Sequence, residues 1–167
     1  VRTGNFWWLA AVIAAHTDRR VVGRTRLQKT VKLLQRLGLP TDYLYTMFFY
    51  GPYSQGVFAE IRLLDRLGLI SEEEHASGEN AAPYFVLQAK PEAAMPELAK
   101  WQPAVDRMEQ ADLVVLELAA TYDAFREMGS DPAEALGRLR HKKGAKCSEG
   151  RERRALDLLR QLGLPSD

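Results

Sequence analysis

Three stretches of this chain end in the same way: LLQRLGLP at 33–40, LLDRLGLI at 63–70 and LLRQLGLP at 158–165. Each closes a run of alternating apolar and charged residues with a glycine and a further apolar residue. Glycine at such a place takes the left-handed conformation that ends a helix, and proline beyond it prevents resumption. The spacings are unequal, 30 and then 95 residues, which argues against a solenoid repeat. Three amphipathic helices that share one kind of stop explain the echo, and they point to a mainly helical domain.

The first of these helices is expected over 25–37. Leu27, Val31, Leu34 and Leu37 form one apolar stripe, while Arg26, Lys29, Lys32 and Arg36 face elsewhere. Thr25 and Gln28 have the spacing of a capping box. YLYTMFFY, 43–50, is rich in aromatic residues and reads as a short buried strand. Gly51-Pro52 breaks it, and Ser54 caps a helix whose core stripe is Val57, Ile61, Leu64 and Leu67. Alternation along the strand puts Phe48 and Tyr50 on one side and Phe49 on the other. These rings are then expected to pin helix 25–37 to helix 54–67, with Tyr50 and Tyr53 beside Gln28 and Lys29.

Elsewhere the pattern is helical with one hairpin. A first helix is expected over 5–16, a hairpin from 69–72 and 84–88 around a long acidic loop, and a proline-rich connector over 90–103. A long helix over 104–128 follows. Ser130 starts another helix, HKKGAKC (141–147) reads as a basic loop, and Ser148 caps the last helix. The fold class is thus mainly α with a small β component (α+β). Residues 1–90 form a helical part with a winged-helix-like helix–helix–hairpin element, and 91–167 form a helical part packed on it within one domain.

Charge is unevenly spread over the 167 residues, although the net value is only +1. Residues 16–37 carry seven bases against one acid, 60–128 carry fourteen acids against six bases, and 138–154 carry eight bases against two acids. Such blocks attract nucleic acid or an acidic protein, or else neutralise each other within the fold or across a homodimer. The apolar run 6–15, preceded by Arg2, is too short to span a bilayer. It has the length of a signal-peptide core, but Trp7-Trp8 and the HTDRR that follows favour a buried helix. A single cysteine, Cys147, precludes an internal disulfide and suits a reducing, cytoplasmic setting without a membrane anchor.

Reactive groups do not converge in the sequence. His16, His75 and His141 lack metal-site spacing, and Glu72–Glu74 reads as a solvated acidic run. Cys147 with His141 is a nucleophile pair without a supporting motif, although nearby lysines are expected to lower the thiol pKa. No glycine-rich phosphate loop is present. The expectation is therefore a non-enzymatic chain with no catalytic residues, metal or cofactor. The stretch from Ser54 through GLI to YFVL has the order of a winged-helix recognition helix and wing. Its exposed face sets Glu60 and Asp65 against Arg62 and Arg66, and its wing is acidic.

At GRTRLQKTVKLLQRLG followed by FFYGPYSQGVFAEIRLLDRLGLI the sequence resembles the YwgA-like bacterial proteins and, more distantly, the Panacea domain of SocA-like antitoxins. The shared pattern is G-R-x-x-L-Q-K, then an aromatic strand ending in Y-G-P-Y-S. The matching residues are Gly23, Arg24, Leu27, Gln28, Lys29, Tyr50, Gly51, Pro52, Tyr53 and Ser54. Residues 116–140 and the final helix also look like the YwgA-like pattern, so the resemblance is expected to cover about three-quarters of the chain. It implies a compact, mainly helical domain and, for Panacea domains, neutralisation of a toxin by direct contact. The resulting expectation is a protein-binding module, antitoxin-like or a regulatory adaptor. A winged-helix DNA-binding regulator is the alternative. The candidate binding residues are Arg24, Arg26, Gln28, Lys29, Lys32, Tyr50, Tyr53, Arg140, Lys142 and Lys143.

Overall fold

The computed structural model describes residues 4–91 and 95–167; Arg2 and positions 92–94 of the expected connector lie outside the described residues. Helix α1 (Asn5–Ala14) is followed by strand β1 (Arg20–Val22) and helix α2 (Arg24–Arg36). Strands β2 (Thr46–Phe48) and β3 (Gly51–Tyr53) form a small hairpin, and helix α3 (Gln55–Arg66) follows. Strands β4 (Ile70–His75) and β5 (Tyr84–Ala89) complete the first half. The second half is α4 (Gln102–Gln110), α5 (Leu113–Glu127), α6 (Pro132–Lys143) and α7 (Arg151–Leu162). The chain is mainly α with a small β component, as its periodicity indicated.

The common helix stop is present three times. Gly38, Gly68 and Gly163 have φ of 95°, 71° and 79°. Beyond each, an amide reaches back five residues: Leu39 to Leu34, Leu69 to Leu64 and Leu164 to Leu159, at 2.9–3.0 Å. This is the 6→1 bond of a Schellman motif, and it satisfies carbonyls that the helix end leaves free. The β4–β5 pairing also stands, with Ile70 opposite Ala89 and His75 opposite Tyr84. Strand β1, unforeseen from its three residues, joins β5 to give the antiparallel order β1-β5-β4.

Helix α5 is the axis of the second half. Every residue from Val115 to Phe125 is buried, because α2, α6, α7 and strand β3 surround it. A helix covered on all sides must satisfy its polar groups internally. Glu117, Thr121 and Asp123 do so. Thr121 Oγ1 donates to the Glu117 carbonyl at 2.7 Å. Asp123 accepts from Arg36 at 2.9 Å and lies 3.7 Å from Lys32. The opposed charge blocks thus neutralise one another within the fold, with Arg24–Glu72, Lys32–Glu127 and Lys143–Glu117 as further pairs.

Several boundaries differ from the sequence reading. The helix expected over 104–128 breaks at Ala111–Asp112, where Asp112 turns out to be an N-cap accepting from Val114 and Val115. Asp131, not Ser130, caps α6 in a full capping box with Glu134. The basic 141–147 segment is not an open loop, for α6 runs on to Lys143 and a 3-10 turn follows. Gly150 in a left-handed conformation, rather than Ser148, precedes α7. Helix α1 ends at Ala14, two residues early.

Candidate functional site: a buried lysine beneath an aromatic hairpin

The segment 43–54 departs most from expectation. Gly51-Pro52 does not end the extended piece; it is the second strand of a hairpin turning at Phe49-Tyr50, with Phe48 opposite Gly51 and Thr46 opposite Tyr53. Within this hairpin the buried residues are Gly51 and Pro52. The rings lie outside: Phe49 is 82% exposed, Tyr50 56% and Phe48 51%, and nearby Leu44 is 86% exposed. They do not glue α2 to α3. Two edge-to-face pairs, Phe49–Tyr50 at 5.4 Å and Phe48–Tyr53 at 5.3 Å, order them instead.

Polar side chains from two helices hold the hairpin by its backbone. Gln28 Nε2 donates to the Ser54 carbonyl and its Oε1 accepts from the Ser54 amide, both at 2.9 Å. Lys29 Nζ donates to the Pro52 carbonyl at 2.7 Å. Lys143 Nζ donates to the Phe49 carbonyl at 3.1 Å and to Glu117 at 2.6 Å. Lys146 shares the same Glu117 oxygen at 2.9 Å. Ser54 in turn caps α3 by accepting from Val57. The L-Q-K and Y-G-P-Y-S segments, 21 or more residues apart, are therefore two sides of one contact.

Gly51 makes the close approach possible. Its φ is 94°, and a Cβ there would stand 2.5 Å from Thr121 Oγ1 on α5. No other residue lets the strand lie against α5 at this point.

The expectation that Lys29 and Lys32 face a partner is corrected by burial: they are 1% and 3% exposed. They do point away from the apolar stripe of α2, but α5 and β3 cover that side too. The Thr25–Gln28 capping box is also absent. Gly23 is the N-cap, and Gln28 spends its amide on Ser54. Arg26 turns away from the site, donating to the Met108 and Ala111 carbonyls at the end of α4. Arg140 is exposed and paired with Glu152 at 2.8 Å, and Lys142 is exposed. Arg24 lies over the Phe85 ring at 3.6 Å and is paired with Glu72. Of the sequence candidates, the structure brings together Arg24, Gln28, Lys29, Tyr50, Tyr53 and Lys143. Glu117, which anchors two of the lysines, was missed because it reads as one more acid on an apolar helix.

Electrostatics follows from this crowding. Desolvation pushes the Lys29 amine down to about 8; Glu117 opposes the shift, while Lys143, Lys142 and Lys146 add to it. Lys143 is also lowered, chiefly by burial. The expected activation of Cys147 is not found, since burial pushes its thiol up despite the neighbouring cations. Among the described residues no group of three His, Cys, Asp or Glu side chains is placed to hold a metal ion. No described helix is long and apolar enough to cross a membrane.

Arg24, Thr25, Gln28, Lys29, Phe48, Tyr50, Gly51 and Tyr53 line one cleft of about 140 Å³ between the start of α2 and the hairpin. A larger surface groove of about 410 Å³ lies between the end of α4 and α7. Arg107, Arg154 and Asp157 are among its lining residues.

No family model matches the chain. The chain is similar to the uncharacterized protein YwgA of Bacillus subtilis (strain 168), at 33% identity over 58 residues. That match spans 35% of each protein, so the YwgA-like resemblance extends over about a third of the chain rather than most of it.

Proposed function

We propose that this chain is a non-enzymatic binding module that acts by direct contact with a protein partner, in the manner of an antitoxin or a regulatory adaptor. The observation that carries this reading is the hairpin tip. Phe48, Phe49, Tyr50 and Leu44 stand exposed, yet the backbone beneath the rings is tied to α2 and α6. Phe49, 82% exposed, contributes little burial to the fold. The same arrangement lowers the ordering cost of binding, and Tyr and other aromatic anchors dominate protein interfaces. Lys146 lies 5.1 Å from the Tyr50 ring and Lys142 is exposed nearby on α6, so the fitting partner surface is an apolar groove with an acidic rim. A toxin is one such partner, and the resemblance to Panacea domains favours it.

The test is co-purification of tagged protein from its own cell, comparing the natural chain with Phe49→Ser and with a remote control, Arg153→Ala. A protein recovered with the natural chain and the control but lost with Phe49→Ser is the expected result. Recovery of the same proteins with all three would end this reading.

DNA binding is the second reading, favoured by the order α2, α3, β4–β5 with β1 completing the sheet. Charge opposes it. Glu73 and Glu74 of the wing are exposed, and Lys29 and Lys32 are withdrawn from any phosphate. A gel shift at low salt that retards no duplex removes it.

A further inference from the structure

The sheet order β1-β5-β4 leaves the outer side of β4 without a strand among the described residues. Alternation fixes which groups face that side. The Leu69 carbonyl accepts from the Lys90 amide at 3.0 Å, so odd-numbered positions of β4 bond to β5. Glu72 and Glu74 therefore turn their backbone N–H and C=O outward. The Glu72 amide bears this out by donating to Asp65, at the end of α3, at 3.3 Å. Two residues further on, Glu74 is exposed, and its amide has no partner among the described residues.

An open strand edge pairs with another extended chain unless something guards it. The guard here has one sign. Glu73 and Glu74 are both exposed and, being adjacent in a strand, stand on opposite faces of it. Glu72 is held by Arg24, whereas Glu73 has only His75 beside it, at 3.6 Å. A second copy of the chain is a poor occupant, because antiparallel pairing of β4 with itself sets these acids against one another. A segment with two adjacent bases is a good one. Its first base meets Glu73 on one face and its second meets Glu74 on the other, while its backbone takes up the bonds that Glu74 offers.

We propose that the outer edge of β4 docks an extended basic segment of another protein, which adds to the sheet as a fourth strand. No residue of the aromatic tip belongs to this surface. The proposal goes beyond the protein-partner reading and does not rest on it, since that reading turns on Phe49.

The experiment is an NMR titration of the intact protein with a capped peptide, Thr-Val-Lys-Arg-Val-Thr. Two controls accompany it. One is the same peptide with every amide N-methylated, which keeps the charges but cannot pair as a strand. The other carries Glu-Glu in place of Lys-Arg. With the basic peptide alone, a saturable downfield shift of the Glu74 amide and its slower hydrogen exchange are expected. In Glu73→Lys the affinity for that peptide falls at least about threefold. Phe49→Ser should bind it as the natural chain does. An equal response to the N-methylated peptide reduces the effect to charge attraction, and no saturable response leaves the acids as a guard only; either overturns the proposal. Undiminished binding in Glu73→Lys, or binding lost in Phe49→Ser, overturns it as well.

Discussion

Gly51→Ala is the sharpest perturbation of the hairpin's seat. Two costs add at this position. A side chain at φ of 94° leaves the favourable backbone regions, at about 1–2 kcal/mol for the left-handed side. The new methyl also meets Thr121 Oγ1 at 2.5 Å, and overpacking of this kind costs about 1–3 kcal/mol. Gly51→Ala should therefore lower stability by about 2–5 kcal/mol. Thr121→Ala alone loses the hydroxyl bond to the Glu117 carbonyl, about 1 kcal/mol. The double variant relieves the clash but keeps the backbone strain. Urea unfolding of all four proteins, read from midpoints at constant slope, gives the coupling energy. A favourable coupling of about 1–3 kcal/mol is expected. Additivity within about 0.5 kcal/mol would mean that β3 does not rest on α5 as described.

Two further outcomes follow from the buried charges. Lys29 holds its proton less tightly folded than unfolded, so from about pH 8 up to the ordinary lysine range the unfolded chain carries more protons and stability rises with pH. Lys29→Met should flatten that rise, which urea midpoints at the two ends of the window will show; an unchanged slope would place the amine in water. Asp123→Ala leaves Arg36 and Lys32 facing a buried void and should cost about 3–5 kcal/mol, against less than about 1 kcal/mol for Asp157→Ala in a half-exposed pair with Arg160.

What was legible beforehand divides along a physical line. Local signals carried: glycine stops, the α3 cap at Ser54 and the β4–β5 pairing are set by residues adjacent in sequence. Non-local signals did not. Lys29 and Lys32 sit on the polar side of α2, and nothing nearby in sequence announces that α5, some ninety residues later, will cover that side. Gln28 has the spacing of a capping residue, yet the Ser54 backbone gives it two bonds where a cap offers one. The rings of 48–50 read as core because aromatic residues usually are. Their exposure follows from a turn that begins at Phe49, a two-residue hairpin hidden by the expectation that Gly51-Pro52 must break the strand. Glu117 and Thr121 looked like ordinary members of an apolar helix until the hairpin was placed on them. The candidate site was thus half visible, as a pair of motifs, while the contact between them was not.

The ordered rings of the hairpin tip are proposed to meet another protein. A photo-crosslinking amino acid placed at position 49, in the cell that makes this chain, tests that most directly. One discrete adduct, absent when the same group replaces exposed Arg153, is the expected result. Adducts at both positions, or none at position 49, would contradict it.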